Sequence, residues 1–553
     1  MLAIMNWGTS FFHSLFAFII ILVPLVVFHE FGHFVFAKIF GVKAEVFSVG
    51  FGPKLWSRQI GETELRISAI PMGGYVKLLG EDRESQISLE EQKRALHRQR
   101  PWKRFLIFFG GPLFNFILAV FIFMLILVIG EPQMASVVGR VVHKSAAEQA
   151  GFLSGDRIVA INGKPVSKFE DVILALNESP EKALIFSVNH AHSIKNVELN
   201  ATPMRQLGYS IYGESTIVGE IEGLFPIPRG NHVGVSNPES PAGKGGIKTG
   251  DQILEVNQNL VLSWEDLEFF YQNLESRVPF LLKYQSGKSG TIQSIQMVKP
   301  ELSRGLAEDL GLFSSELFVD RTVPHSPAEV AGVQSGDRLL GVGGQIVQSF
   351  FELKDAVQKS GEKDGKVQLK WERAGKIFSV VLTPTATVGR DPNLNNTTQY
   401  TVGVIPQLRM GEPVTVIERI WNPFQLVSLA TQRMITFSWR NLVSLKKMVT
   451  GDVSVGSLGG PIMIGKIAGE SLTRGLIVFL TNMAIFSVGL GVLNILPVPV
   501  LDGGHLMLLG VETIRGKPLS VRQMEVIQGF GLILILTLMG IAFRNDIARL
   551  FYS

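Results

Sequence analysis

Long apolar runs separated by polar segments dominate the pattern of this sequence. A membrane span needs about 20 consecutive apolar residues, and four runs are long enough. They cover residues 11–36, 105–129, 474–500 and 526–543. The third run carries several hydroxyl and amide side chains, which predicts a helix that faces protein or water rather than lipid. We therefore expect a multi-pass α-helical membrane protein with four transmembrane helices.

The segment 131–390, between the second and third runs, contains an internal repeat. Each copy has a Gly-Asp turn, an alternating strand and a second turn, and a helical stretch follows. The copies lie at residues 150–163, 245–258 and 331–344. The pattern resembles the PDZ signature, so we predict three inserted PDZ-like α+β domains. PDZ grooves bind peptide C-termini as an added strand, and the alternative is that some copies are spacers or steric gates.

A second alternating pattern lies in loop 41–104, between the first two runs. Residues 64–70 alternate polar and apolar side chains, 71–74 predicts a turn, and 75–78 resumes the alternation. We predict a β-hairpin, which either offers an edge to a substrate strand or is only structural. The predicted segments are helices 1 and 2 with the hairpin (1–130), PDZ-like domains (131–205, 215–300, 301–390), a linker with an amphipathic helix (391–470), and helices 3 and 4 (471–553).

Charge gives the orientation of these segments. Basic residues are concentrated in loop 41–104 and just after the third run, and the positive-inside rule places both loops in the cytoplasm and the PDZ-like domains on the far side. With a net charge of +4 over 553 residues, no basic domain indicates nucleic-acid binding. The absence of cysteine excludes thiolate metal sites. No basic residue precedes the first run, so we expect that run to be retained.

The first run contains the motif His-Glu-x-x-His, formed by His29, Glu30 and His33. On a helix, residues four apart share a face, so the two imidazoles can bind one metal ion. Zinc with three protein ligands keeps an open position for water, and Glu30 between the histidines is placed to act as general base. A chance match is less expected here than in a soluble helix, because ionisable residues inside membrane helices are costly.

A second motif ends the third run, where Pro497 and Pro499 break the helix. Asp502 follows directly and supplies the oxygen ligand that completes a His-His-carboxylate zinc site. His505 is a competing ligand candidate. Both motifs lie near the cytoplasmic face in the predicted topology.

These two motifs resemble those of the site-2 protease family of zinc intramembrane metalloproteases, of peptidase M50 type. The PDZ-like repeats and the stretch Gly110–Phe116 at the start of the second run are part of the same resemblance. The resemblance is to the bacterial regulator of sigma-E protease group. It implies that His29, His33 and Asp502 bind one Zn²⁺ and that Glu30 is the catalytic base. It also implies the bacterial inner membrane, with the active site near the cytoplasmic face and the PDZ domains in the periplasm.

The resemblance further implies contacts with an unwound substrate. The implied substrate-binding residues are Asn494, Pro497, Pro499, Gly73, Gly74, Tyr75, Val76 and Lys77. Family members cut the membrane helix of single-pass proteins, such as anti-sigma factors already trimmed by another protease or remnant signal peptides, in regulated intramembrane proteolysis. We expect such substrates and the lipid bilayer as partners, a monomeric enzyme, and PDZ domains that filter substrates and can hold peptide C-termini.

Two features depart from the family pattern. Relatives usually carry two PDZ domains, whereas three are predicted here. Gly489 stands where relatives often have an asparagine. Two other functions fit parts of the sequence. One is a membrane-anchored PDZ module that binds peptides, and the other is a metal transporter, which is disfavoured because the spans offer no continuous polar path.

Overall fold

The computed structural model describes residues 2–81, 88, 91–190, 196–209, 215–390, 396–453, 456 and 458–552. It divides into two compact units. The helical unit contains the chain up to Glu131 and from Glu418 onwards, and the repeat unit contains Pro132–Tyr209 and Ser215–Ile417.

The secondary structure is mainly long helices in the helical unit and short strands in the repeat unit. The helices are α1 (Leu2–Ile39), α2 (Pro101–Ile129), α3 (Ala146–Gln149), α4 (Phe169–Glu178), α5 (Pro241–Lys244), α6 (Trp264–Gln272), α7 (Leu306–Leu310), α8 (Pro327–Val330), α9 (Phe350–Asp364), α10 (Pro423–Val449), α11 (Pro461–Arg474), α12 (Leu476–Ile495), α13 (Asp502–Arg515) and α14 (Val521–Tyr552). The strands are β1 (Ala44–Ile60), β2 (Thr63–Leu78), β3 (Glu131–Met134), β4 (Arg140–Val141), β5 (Arg157–Ile161), β6 (Lys164–Pro165), β7 (Leu184–Asn189), β8 (Asn196–Ala201), β9 (Met204–Tyr209), β10 (Ser215–Glu220), β11 (Leu224–Phe225), β12 (Val233–Gly234), β13 (Gln252–Val256), β14 (Asn259–Leu260), β15 (Pro279–Gln285), β16 (Ile292–Val298), β17 (Phe313–Ser314), β18 (Val319–Thr322), β19 (Arg338–Val342), β20 (Gln345–Ile346), β21 (Val367–Arg373), β22 (Lys376–Leu382), β23 (Thr385–Arg390), β24 (Asn396–Thr401), β25 (Val404–Pro406) and β26 (Thr415–Glu418).

Four helices in the described part of the chain are long and apolar enough to cross a membrane. They lie within α1, α2, α12 and α14, at Phe12–Ile39, Pro101–Ile129, Leu476–Ile495 and Arg522–Arg549. Each of the four predicted runs is therefore helical over most of its length. The third helix ends at Ile495, before the two prolines, because proline cannot continue the hydrogen-bond ladder of a helix.

The helical unit is packed around α1, α2 and α12. Along α1, Ala17, Ile21 and Leu25 recur every fourth residue, so they lie on one face, and they are buried in one cluster with residues of α2 and α12. Farther along, Gly32 and Gly110 bring the two helix backbones together, since a Cβ on Gly32 would clash with the carbonyl oxygen of Gly110. These glycines let the part of α1 that carries the His-Glu-x-x-His motif approach α2 closely.

β1 and β2 form an antiparallel pair with several register shifts. Residues 46–49 of β1 pair with 74–77 on one side and with 64–67 on the other. Residues 74–77 therefore form an outer edge of this sheet. We call residues 74–77 the edge segment.

The position of the turn in this sheet differs from the prediction. The chain turns between β1 and β2 at Gly61, which has φ +60°, a left-handed conformation that glycine adopts without strain. The predicted turn at 71–74 was wrong, because these residues lie within β2. Pro71 is compatible with that position because proline is tolerated in strands at a sheet edge.

The repeat unit contains three buried hydrophobic clusters in succession, at residues 138–224, 233–312 and 317–402. Each cluster is built on a four-stranded sheet with the same relative order of strands. The orders are β6-β5-β7-β8, β14-β13-β15-β16 and β20-β19-β21-β22. In each repeat a serine side chain caps a one-turn helix, at Ser145, Ser240 and Ser326. The repetition seen in the sequence is thus a repetition of structure.

Three segment boundaries drawn from the sequence differ from the structure. The first cluster extends to Leu224, beyond the predicted end of the first PDZ-like domain at 205. Leu306, Leu310 and Leu312 pack in the second cluster, beyond the predicted end at 300. β24 and β25 lie inside the predicted linker 391–470, and Val402 packs in the third cluster; residues 391–395 lie outside the described residues. The cause is long-range strand pairing, since β12 pairs with β17 and β18 pairs with β25, and local sequence patterns do not reveal such pairs.

Candidate metal centre

Three side chains that can bind a metal ion converge where α1 meets the start of α13. His29 Nε2 lies 3.0 Å from Asp502 Oδ2, His33 Nε2 lies 3.4 Å from Asp502 Oδ1, and the two Nε2 atoms are 3.3 Å apart. Tetrahedral zinc with bonds of about 2.0–2.1 Å places its ligand atoms about 3.3 Å apart, so the spacing fits one ion. Among the residues that the structure describes, no other cluster of three such side chains was found.

The contribution of α1 follows from helix geometry and from a missing side chain on α2. His29 and His33 are one helical turn apart, with ring centroids 4.9 Å apart and planes at 84°. Gly111 on α2 faces both rings, because a Cβ there would clash with His33 Nε2 and lie 2.7 Å from His29 Cε1. The absence of a side chain at Gly111 leaves open space beside the nitrogens that would bind a metal.

Asp502 is placed by a break between α12 and α13. The chain leaves the helix after Ile495, Val500 adopts φ +85°, and α13 begins at Asp502 itself. Gly503 and Gly504 allow α13 to lie against the broken segment, since a Cβ on Gly503 would clash with backbone oxygens of 495 and 496 and one on Gly504 with the oxygen of 498. The two glycines after Asp502 therefore set the position of its carboxylate.

Hydrogen bonds from α2 hold both imidazoles at their other nitrogen. His33 Nδ1 lies 2.8 Å from the carbonyl oxygen of Ile107. His29 Nδ1 lies 3.1 Å from Nδ2 of Asn115, and Nδ2 of Asn494 lies 3.5 Å from both nitrogens of the His29 ring. Such partners fix the orientation of metal-binding histidines.

Glu30 points toward the edge segment rather than toward the imidazole rings of His29 and His33. Its Oε2 accepts a hydrogen bond of 3.1 Å from the backbone N–H of Val76, and a Cβ on Gly74 would lie 3.3 Å from Glu30 Cγ. The structure therefore brings Glu30 together with two of the residues that the resemblance assigned to substrate binding.

The other predicted substrate-binding residues of β2 contact side chains of β1. Tyr75 stacks on Phe51 with centroids 6.2 Å apart, and a Cβ on Gly73 would clash with the same Phe51 ring. Lys77 Nζ pairs with Glu45 Oε2 at 3.1 Å.

The proline segment is held by the last helix, and His505 stacks on an aromatic ring of α2. Pro497 and Pro499 lie in the broken segment between α12 and α13. Pro499 packs against α14, since a Cβ on Gly531 would lie 2.5 Å from its Cβ. The His505 ring stacks on Phe108 at 4.9 Å and is not part of the metal-binding cluster.

Comparison with known proteins identifies the family. The model of peptidase family M50 matches residues 17–538. The chain belongs to peptidase family M50. A protein of Neisseria meningitidis serogroup A named "Putative zinc metalloprotease" is 30% identical over 97% of this chain and 99% of its own length. The regulator of sigma-E protease RseP of Escherichia coli K12 is 30% identical over 98% of this chain and 100% of its own length. This M50 chain is a zinc metalloprotease of the site-2 type.

A solved structure of a PDZ domain protein from Parabacteroides distasonis also aligns with this M50 peptidase. It covers 49% of this chain and 95% of its own at 10% identity, with a TM-score of 0.14. A TM-score at that level supports no statement about the fold.

Three contributors to the cluster of this M50 peptidase were not predicted individually: the carbonyl of Ile107, the open space at Gly111 and the amide of Asn115. The stretch Gly110–Phe116 stood out only as a part of the family resemblance. An asparagine inside an apolar span was the available signal, because polar side chains in membrane helices are costly and usually functional.

Proposed function

We propose that this metalloprotease hydrolyses peptide bonds within the membrane helix of single-pass membrane proteins. The observation that carries the proposal is that His29, Glu30 and His33 lie on α1, a helix apolar enough to span a membrane, and that Asp502 meets the two imidazoles there. Water and polar groups are scarce at such depth, so a peptide bond hydrolysed there requires a polar pocket of this kind.

In this proposal His29 Nε2, His33 Nε2 and one oxygen of Asp502 hold a single zinc ion. Zinc supplies Lewis-acid polarisation of the scissile carbonyl and lowers the pKa of water to about 7. Glu30 acts on the protons: its carboxylate takes one from the attacking water and later delivers it to the leaving amine. Gly111 keeps the space beside the imidazoles free for these groups.

The edge segment is proposed to align the substrate. A membrane helix hides its peptide bonds in internal hydrogen bonds, so part of the substrate must unwind before cleavage. The unwound strand can pair with this edge along Gly73, Gly74, Tyr75, Val76 and Lys77, as in other cases of strand addition. Asn494 beside His29, with Pro497 and Pro499 in the broken segment, would hold the strand from the other side.

The three repeats are proposed to be PDZ-like domains that exclude substrates with bulky external parts and bind peptide C-termini. The basic loops support a periplasmic position for these domains and a metal centre near the cytoplasmic face of a bacterial inner membrane. The name of the relative from Escherichia coli supports a role in the sigma-E stress response, with anti-sigma-factor-like proteins or remnant signal peptides as substrates. We propose a monomeric enzyme.

Cleavage of a single-span reporter by the purified full-length protein tests the proposal. We expect cleavage inside the apolar segment, its loss in Glu30→Gln with zinc content retained, and its loss on zinc chelation with recovery after zinc is restored. Glu62→Gln, which changes a carboxylate outside the cluster that pairs with Arg94 and Lys38, is the matched control and should cleave normally. Cleavage that persists in Glu30→Gln, or that resists chelation, would overturn the proposal.

A further inference from the structure

We propose that Asn115 positions His29 for zinc binding by determining which ring nitrogen carries the proton. The inference rests on the zinc site proposed above. Asn115 lies on α2 inside the second span and is 0% exposed. Its Nδ2 lies 3.1 Å from His29 Nδ1, so the amide touches the ligand ring at the nitrogen that faces away from Asp502.

The contacts of the His33 ring fix its proton at the position that metal binding requires. Its Nδ1 lies 2.8 Å from the carbonyl oxygen of Ile107, and a carbonyl can only accept a hydrogen bond. The proton of a neutral His33 ring must therefore be on Nδ1. Its Nε2 then presents a lone pair to Asp502 and His29, as a metal ligand requires.

His29 is held in the opposite way. An amide nitrogen can only donate, so the contact with Asn115 Nδ2 requires an unprotonated His29 Nδ1. The proton of the neutral ring then lies on Nε2, which faces Asp502 Oδ2 at 3.0 Å and can donate to it. A protonated Nε2 cannot bind a metal, so a zinc-binding His29 needs its proton on Nδ1 instead.

The same arrangement leaves a buried acceptor unused. Asn115 Oδ1 is buried and has no hydrogen-bond partner, which is unfavourable for a polar atom in an apolar interior. Rotating the amide by 180° exchanges Oδ1 and Nδ2, which have nearly the same size. Oδ1 would then accept from a protonated His29 Nδ1, and Nε2 would be free to bind zinc.

The backbone at this position stays fixed while the amide rotates. Ser487 on α12 donates a hydrogen bond of 2.8 Å from Oγ to the backbone oxygen of Asn115, and both residues are fully buried. The rotation therefore needs only the side-chain amide. Asn115 can serve both proton positions of His29: through Nδ2 when the proton is on Nε2, and through Oδ1 when it is on Nδ1, the position that zinc binding requires.

Zinc affinity of the purified full-length protein, measured by chelator competition with metal analysis, tests this role. Asn115→Leu keeps the volume but removes the acceptor, and we expect roughly 10- to 100-fold weaker zinc binding. Asn115→Asp can only accept from Nδ1–H, so its affinity should equal or exceed that of the wild type. The absorption spectrum of the cobalt(II)-substituted protein should change in Asn115→Leu and be preserved in Asn115→Asp.

Two controls separate this role from helix packing. Ser487→Ala removes the hydrogen bond to the Asn115 backbone without touching the amide, and Asn482→Leu changes a half-buried amide of α12 outside the cluster. Both should keep wild-type zinc affinity. Wild-type affinity in Asn115→Leu, equal weakening in Asn115→Asp, or equal weakening in either control would overturn the role of Asn115. Absence of stoichiometric zinc from the wild type, or its retention in His29→Ala, would instead overturn the proposed zinc site.

Discussion

The backbone N–H of Val76 donates a hydrogen bond of 3.1 Å to Glu30 Oε2. The bond joins the edge segment of β2 to the residue that lies between the two histidines of α1. Gly74 approaches the same side chain closely enough that a Cβ there would lie 3.3 Å from Glu30 Cγ. The strand proposed to align the substrate therefore also orients the proposed base, so both depend on the same element.

Replacing Val76 by proline removes this donor, and we expect it to lower kcat. A hydrogen bond to a charged group contributes about 1.5–3 kcal/mol, which corresponds to a loss of roughly 10- to 100-fold in rate. KM and kcat should be measured separately on a single-span reporter. Because proline is tolerated at sheet edges, zinc content should stay normal. Val76→Ala retains the N–H and should retain most of the activity; equal activity of the two variants would contradict the assigned role of this hydrogen bond.

Gly111→Ala tests whether the space beside the imidazoles is required. The added methyl group would clash with His33 Nε2, so we expect loss of both zinc binding and cleavage, measured by metal analysis and by the reporter assay. Gly489→Ala on α12 is the matched control, because a Cβ there meets no atom within 4 Å. That variant should keep its zinc and gain about 0.5–1 kcal/mol in stability. Normal zinc content in Gly111→Ala would show that the cluster does not need this space.

Much of the metal centre could be predicted because its parts are short local patterns. The spacing of His29 and His33 places them on one helix face wherever the helix lies, and Pro497 and Pro499 end a helix in any surroundings. Asn115 could not be assigned a partner in this way. Its contact with His29 depends on the close approach of α1 and α2 at Gly32 and Gly110, and such tertiary packing has no local signature.

The wrong predictions about the fold also come from contacts between residues that are far apart in the sequence. The turn was placed at 71–74 because proline and glycine cluster there, but the chain turns at Gly61 and β2 continues through Pro71. The predicted end of the second PDZ-like domain at 300 was wrong because Leu312 packs in the core of that domain. This core begins at Val233, far from Leu312 in the sequence. Patterns of neighbouring residues identify helices and strands. They do not show which distant strand each strand pairs with.

The first and third repeats pair an equivalent buried aspartate with different side chains. His190 Nδ1 lies 2.7 Å from Asp156 Oδ1, whereas Arg373 donates two hydrogen bonds to Asp337, of 2.6 and 2.7 Å. Burial raises the pKa of Asp156, partly opposed by His190. Because the pKa of Asp156 is higher in the folded state than the unfolded value of 3.8, the folded state keeps the proton of Asp156 to a higher pH than the unfolded state does. The first repeat therefore loses stability as the pH rises from the unfolded pKa to the folded pKa.

His190→Arg should stabilise the first repeat at pH 8 by about 1–3 kcal/mol, because a guanidinium can donate two hydrogen bonds to the carboxylate of Asp156, as Arg373 does to Asp337. The reverse change, Arg373→His, should destabilise the third repeat at the same pH. Hydrogen exchange of the full-length protein at pH 5 and pH 8 resolves the two repeats separately. No difference between His190→Arg and wild type at pH 8 would show that the charge of residue 190 has no effect on the stability of this repeat.

A buried ion network connects the three repeats, and its loss should destabilise the whole repeat unit. Glu316, just before the third cluster, pairs with Arg140 of β4 at 2.9 Å and with Arg229, just before the second cluster, at 3.4 Å. The side chains of Arg140 and Glu316 are 6% and 3% exposed, so Glu316→Gln would leave the guanidinium of Arg140 buried without its counter-charge. Removing one partner of a buried pair costs about 3–5 kcal/mol, and hydrogen exchange in all three sheets should accelerate together.

Glu308→Ala breaks an exposed pair with Arg304 and should change stability by less than about 0.5 kcal/mol. Faster exchange confined to one repeat would show instead that the three cores are stabilised independently.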